Sequence, residues 1–346
     1  MKLLYAIQGT GNGHLARASE IAPALAEVAD VDFLISGKSA ELNFPFPFNY
    51  NYHGLYFIFG NRGGVNYLKS LRQLRPFKLL SDIRSVPVHK YDAVINDYET
   101  ITAHACRRHN IPVIGVSHQS SFYSDKVPMP SKRRRLFEYG MRHWVAPSDG
   151  YVGLHYKPYD DHILPPIIRP GLVEASLSDE GHITVYLPAF SDERLVDIFK
   201  ELTEVRWEVF TKKSKEIREI GNVLIHPVDK KRYSESLINC HGLLTGGGFQ
   251  ATAEGLYLSK KMMVIPMFDQ YEQKCNAAAL KQIGVPIVYD FDQRIVDKLR
   301  HWIKSPYNLD YLPIRSDIST VAKKILEVSQ QQIDKKVLNK KKVVQP

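Results

Sequence analysis

Short apolar runs alternate with amphipathic segments along most of this chain. Residues 2–8 read as a buried strand. The alanine-rich stretch 15–28 follows, with Leu15, Ala18, Ile21, Ala22 and Leu25 on one helical face. Residues 31–35 supply the next strand, which completes a βαβ unit. Further strands are predicted over 91–95, 113–116 and 145–147, with a helix over 100–109. Strands then recur at 182–187, 206–211, 223–227 and 242–245, with helices over 192–202 and 230–239 between them. The pattern predicts an α/β chain with two doubly wound parallel sheets.

The stretch 241–284 organises the second half. An apolar run ends in Thr245, and Gly246, Gly247 and Gly248 come next. A helical segment over 249–258 leads to a second apolar run, 262–267, and then to Asp269 and Gln270. Successive glycines at a helix start let backbone N–H groups approach an anion, so this is a candidate phosphate site. Four prolines between Pro158 and Pro170 suit an interdomain linker. The expected division is an N-terminal domain over 1–170 and a C-terminal domain over 171–315. A helix over 316–330 packs back on the first domain, and a basic, disordered tail covers 331–346.

With 346 residues, 44% hydrophobic and 24% charged, the chain has the composition of a globular protein with room for two cores. Cys106, Cys240 and Cys275 are scattered and odd in number, which suits reduced thiols in a cytoplasmic protein. The N-terminus works as a first strand rather than as a signal peptide. Of the net charge of +9, roughly half sits in the lysine-rich tail. A second basic cluster, Lys132 to Arg135, runs into Phe137, Tyr139, Arg142 and Trp144. Basic side chains beside aromatics fit either the surface of an anionic membrane or a solvated helix face. No nucleic-acid-reading module accompanies the charge.

The first strand is followed by Gly9, Gly11 and Gly13. A dinucleotide fingerprint needs its third glycine where His14 and Leu15 stand, and Asp32 falls inside the second strand, so a nicotinamide enzyme is a poor reading. His14, at the helix start, faces the crevice beyond the strand ends or serves as a cap. Arg17 lies one turn later. Asp97 or Glu99, at a strand end, lies over the same crevice and orients the imidazole or acts as base; Asp97 otherwise caps the following helix. His118 ends the next strand. The alternating aromatics from Phe44 to Tyr52, held extended by Pro45 and Pro47, suit core packing or sugar contact. Gly60 to Gly64 is a turn whose Arg62 could meet an anionic acceptor. No carboxylate pair has metal-site spacing, and Asp160-Asp161 reads as a solvated turn.

The 241–284 stretch, with Gly11-Asn12-Gly13-His14, resembles the GT-B glycosyltransferases of the MurG-like and UDP-glycosyltransferase group, and among them an uncharacterised bacterial and archaeal set. The resemblance implies two Rossmann-like domains facing a central cleft, an acceptor half and then a donor half. It implies inverting, metal-independent transfer from a nucleotide-diphosphate sugar to a hydroxyl acceptor, with His14 or Asp97 as base and no cofactor. Gly11 and Gly13 match the loop that contacts acceptor or phosphates. Gly246 stands where many relatives carry a histidine, so the amides of Gly247, Gly248 and Phe249 are expected to hold the diphosphate. Glu254 matches the ribose contact. Asp269 and Gln270 match the donor-sugar contact, and Gln273 and Asn276 the next helix face. Pro188 and Phe190 frame the nucleobase, with His226-Pro227-Val228 near it. Ser259-Lys260-Lys261 departs from the usual glycine-x-proline. A carbohydrate or lipid-linked acceptor of the cell envelope, met at the inner membrane face, is the implied partner. A nucleotide-sugar epimerase of the same fold and a non-catalytic nucleotide-sugar binder are the competing readings.

Overall fold

The computed structural model of the chain describes residues 1–10, 12–37, 44–54, 75–130, 134–268 and 270–344. The first domain holds β1 (Lys2–Gln8), α1 (Asn12–Ala26), β2 (Asp30–Ser36), β3 (Tyr50–Tyr52), α2 (Pro76–Ser85) and β4 (Ala93–Asp97). It continues with α3 (Thr100–His109), β5 (Val113–Ser117), α4 (Arg134–Gly140), β6 (Gly150–Leu154) and β7 (Ile163–Leu164). Its strands lie in the order β3-β2-β1-β4-β5-β6-β7, every pair parallel. After α5 (Pro170–Val173) the second domain begins with β8 (His182–Tyr186), α6 (Asp192–Phe199), β9 (Arg206–Thr211) and β10 (Arg218–Ile220). It goes on through β11 (Val223–Pro227), α7 (Lys230–Asn239), β12 (Gly242–Thr245), α8 (Phe249–Tyr257) and β13 (Lys261–Val264). The helices α9 (Tyr271–Ile283), α10 (Ile295–Lys304) and α11 (Ile318–Val344) complete the chain. The order of the second sheet is β10-β11-β9-β8-β12-β13, with β10 antiparallel to β11.

Central strands buried on both faces explain the near-continuous apolar runs. Leu3 to Ile7 of β1 are wholly buried, and Leu15, Ala18, Ile21, Ala22 and Leu25 of α1 cover them from one side. The alternating aromatics join this core, with Phe46 stacked on Phe33 at 4.9 Å and Phe44 on Phe48 at 4.8 Å.

Two expectations fail. Residues 145–147 are not a strand; the strand there is β6, five residues further on and paired between β5 and β7, behind a π-type turn over Met141–Val145. Gly150 and Gly153 hid β6 from a propensity reading. A Cβ on Gly153 would lie 2.7 Å from the Ser121 backbone, so a glycine is required where the 119–123 turn crosses the strand. The 331–346 tail, expected to be disordered, continues α11 as regular helix to Val344. Packing fixes it: Lys336 pairs with Asp149 at 2.9 Å and donates to the Ile111 carbonyl, so α11 lies along the first domain.

The carboxyl ends of both sheets face one cleft, and α9 bridges it. Tyr271 Oη donates to the Pro130 carbonyl at 2.6 Å, and Gln119 Nε2 donates to Glu272 at 3.1 Å. Cys275 packs among Phe122, Val127, Met141 and Ile163.

Candidate active site

His14 enters the site from the first turn of α1, and Asp97 from the last position of β4. Because β1 and β4 are paired neighbours, the helix start after β1 stands beside the end of β4. His14 Nδ1 lies 2.7 Å from Asp97 Oδ1. Arg17, on the same face of α1 three residues on, donates Nε to Oδ2 at 3.1 Å and Nη2 to Oδ1. Arg17 Nη2 is also 3.0 Å from His14 Nδ1. The ionised carboxylate accepts a hydrogen bond from Nδ1–H, which leaves the lone pair on Nε2. The ring lies parallel to Tyr98 at 6.1 Å.

Asp97 is fully buried. Burial works to raise its carboxyl, but Arg17 and His14 outweigh that and hold it below the ordinary value. Burial opposes the charge of Arg17 in turn, and Asp97 overcomes it. The helix cap that competed for Asp97 is supplied by Glu99. Its oxygens accept from the Ile101 and Thr102 amides at 2.7 Å, from Ser36 Oγ and from Thr102 Oγ1. Tyr98, between them, has φ 59°, and this left-handed residue turns Asp97 and Glu99 to different tasks.

Across the cleft, Gly246, Gly247 and Gly248 turn the chain from β12 into α8. Gly248 is the N-cap of α8 and makes no side-chain cap, so among the described residues the first N–H groups of the helix have neither an intrahelical nor a side-chain partner. The Gly246 amide donates to the Tyr186 carbonyl, and the Gly247 amide to Gln273 Oε1 at 3.1 Å. The free donors of the turn are therefore further along, at Gly248 and Phe249. Gln273 Oε1 also accepts from the Met267 amide at 2.9 Å, so this side chain builds the turn. Gln270 Oε1 is buried without a partner, an acceptor left open beside the turn. Gly11 and Asp269 lie outside the described residues, as do the Gly60–Gly64 turn, Lys132 and Arg133. Gly13 has open space where a Cβ would stand.

Glu254 is buried in α8 and meets Arg169 of the linker through two 2.7 Å hydrogen bonds, while Gln250 donates to its Oε1 at 2.8 Å. At the exits of β8 and β11, Phe190 packs on Phe291 at 4.4 Å beside Pro188, and the Val228 amide donates to Thr211. His226 stacks on Phe210 at 5.0 Å, with Nδ1 unpartnered. Lys260 and Lys261, where a glycine-x-proline was expected, bury their stems. Lys260 Nζ donates to the carbonyls of Ser178, Ile238 and Cys240, and Lys261 Nζ to those of Ile303 and Ser305.

Sequence reasoning missed Arg169 and Glu272. Arg169 was hidden in a proline-rich run that offered no periodic signal. Glu272, in the first turn of α9, reaches Gln119 of the first domain and lies close enough to Tyr98 and Arg17 to act on both electrostatically. His118, directly after β5, is buried, with Nδ1 against the Leu154 carbonyl and Nε2 against Asn276 Oδ1. Among the described residues no group of three or more His, Cys, Asp or Glu side chains is placed to hold a metal ion.

Two parallel α/β domains across a cleft, with a glycine turn opening a helix in the second, define the GT-B architecture. The family model described as Glycosyl transferase family 1 matches residues 1–305, and the chain belongs to that family. It is a glycosyltransferase by class. No curated protein matches it in sequence. Among solved structures, Phytolacca americana UGT2 complexed with UDP-2fluoro-glucose and pterostilbene is similar, with a TM-score of 0.57 and 14% identity over 96% of this chain and 94% of that one. Arabidopsis thaliana UGT89C1 complexed with quercetin gives a TM-score of 0.54 and 15% identity over 98% of each chain. Acinetobacter baumannii MurG gives 0.52 and 14% identity over 96% of this chain and 98% of that one.

Proposed function

We propose that this protein moves a sugar from a nucleotide-diphosphate donor, a UDP-sugar in the favoured case, to a hydroxyl of a carbohydrate or lipid-linked acceptor, with inversion. The acceptor half is 1–170 and the donor half 171–315. The observation that carries this reading is His14 Nδ1 at 2.7 Å from the buried Asp97 carboxylate, at the carboxyl edge of the first sheet.

In the proposed reaction Nε2 of His14 takes the acceptor hydroxyl proton as that oxygen bonds to the anomeric carbon. The carbon–oxygen bond to the diphosphate breaks, and its electron pair leaves on the phosphate oxygen. Asp97 holds the ring in the productive tautomer and balances the imidazolium, while Arg17 keeps the carboxylate ionised and oriented. The leaving charge falls to the amides of Gly248 and Phe249 and to the positive end of α8, with no cofactor taking part. Gln270, with its open Oε1, and Asp269 are proposed to contact the donor sugar, and Glu254 the ribose. Gln273 serves the same site by shaping the turn. Pro188, Phe190 and the Val228 carbonyl are proposed to frame the base. The UDP-sugar preference draws on the donor analogue named for Phytolacca americana UGT2. Calorimetry with UDP-, GDP- and dTDP-sugars tests the donor, and binding of none of them contradicts the reading.

The acceptor is proposed to be met at the inner face of the cytoplasmic membrane. Leu136, Tyr139 and Trp144 are exposed beside Arg135, Arg142 and His143, an apolar patch in a basic rim. No described helix is long and apolar enough to cross a membrane. Co-sedimentation with anionic but not zwitterionic vesicles is expected, and equal behaviour with both contradicts membrane contact.

A further inference from the structure

A turn of three successive glycines has more backbone freedom than any other, so a fixed amide geometry there must be imposed from outside. Two side chains of α9 impose it. Gln273 Oε1 accepts from the Gly247 amide at 3.1 Å, and Asn276 Nδ2 donates to the Gly247 carbonyl at 2.8 Å. The Gly247 carbonyl and the Gly248 N–H belong to one planar trans peptide. Holding the oxygen therefore aims the Gly248 N–H in the opposite direction, and that N–H is one of the free donors of the turn.

Asn276 is not free to choose its orientation. His118, from the other domain, places Nε2 2.6 Å from its Oδ1, so the amide nitrogen is left for Gly247. His118 is itself fixed. Its ring lies flat on Phe249 at 3.9 Å and 4°, Nδ1 faces the Leu154 carbonyl at 2.9 Å, and its own carbonyl accepts from Ser121 Oγ at 2.6 Å. His118, Asn276 and Gln273 are all buried. The chain of contacts runs from the end of β5, through α9, to the one peptide that aims a donor amide.

We infer that His118 is a positioning residue for the glycine turn, acting through Asn276, so that contact between the two domains sets donor affinity. This inference rests on the reading of the turn as the diphosphate site. A residue of the acceptor half thereby controls binding in the donor half, and a donor binds well only when the domains are engaged.

The test compares His118→Phe, which keeps a ring on Phe249 and loses the hydrogen bond, with His118→Gln, which keeps a side-chain N–H for Asn276. UDP is the calorimetric probe, and amide exchange over 245–250 is read without ligand. His118→Phe is expected to weaken UDP about tenfold and to speed exchange at the Gly247 amide, held by Gln273, by a similar factor, the scale of one lost hydrogen bond. His118→Gln is expected to stay closer to the parent in both. UDP affinity within twofold of the parent in His118→Phe, with unchanged exchange, overturns the inference. If the parent binds no nucleotide diphosphate, the donor reading fails, and the exchange measurement still decides whether His118 positions the turn. Should His118→Phe not fold, Asn276→Asp decides, since it keeps an acceptor for His118 and loses the N–H to Gly247; unchanged exchange there is equally fatal.

Discussion

Arg169 and Glu254 are joined by two parallel hydrogen bonds of 2.7 Å, Nε to Oε1 and Nη2 to Oε2, although one belongs to the linker and the other to α8. Glu254 also accepts from Gln250, so three of the about four acceptor sites of this carboxylate are taken. Breaking one side of a buried ion pair leaves an uncompensated charge. Arg169→Met and Glu254→Leu are each expected to lose about 3–5 kcal/mol in urea unfolding, and the two together to recover most of it. A double variant as unstable as the sum of the singles contradicts the pairing.

Lys260 carries a second buried charge without any carboxylate. Burial pulls its ammonium below the ordinary lysine value, and three carbonyls hold it instead. Lys260→Met keeps the stem and strands those carbonyls. A loss of about 1–3 kcal/mol is expected, read from the urea midpoint at unchanged slope. A loss below about 0.5 kcal/mol would show that the carbonyls find other donors.

The parts of the molecule that were legible in the sequence are those that periodicity and local chemistry determine. α3, β9, β11, α7 and β12 stand where the apolar runs put them. His14 after its glycine loop and the glycine turn before α8 were visible because turn and strand end are local features. β6 was not, because its glycines serve a crossing segment remote in sequence. The cap of α3 is Glu99 and not Asp97, the cap candidate in the sequence; only the left-handed Tyr98 separates the two carboxylates. Arg169, Glu272 and the His118–Asn276 contact join residues 85, 153 and 158 positions from their partners, and no local pattern encodes such pairs.

A buried histidine sets the acid limit of stability. Burial takes the His155 imidazole well below its ordinary value of 6.5, with neighbouring His118 acting in the same direction. His155 Nδ1 accepts from the Tyr156 amide at 2.9 Å and Nε2 has no partner, so the ring is neutral. Below pH 6.5 the unfolded chain binds more protons than the folded one, so stability is full above that pH and falls as pH drops through it. Asp97, lowered from 3.8, adds its loss only below that value. Urea unfolding at pH 7, 6 and 5 is expected to show a loss of about 2 kcal/mol for the neutral ring of His155. A flat profile down to pH 5 contradicts the burial of a neutral ring there.

Asp97→Asn preserves shape and removes the charge that fixes the tautomer of His14. Transfer is expected to fall about 10²–10⁴-fold, with nucleotide affinity unchanged. Loss of nucleotide binding instead would place Asp97 in the donor site.

His14 is the proposed base. His14→Ala leaves the glycine turn, α8 and the Gly248 peptide untouched. Calorimetric donor affinity in this variant is predicted to match the parent while sugar transfer to the acceptor is abolished. Full transfer by His14→Ala would contradict the account.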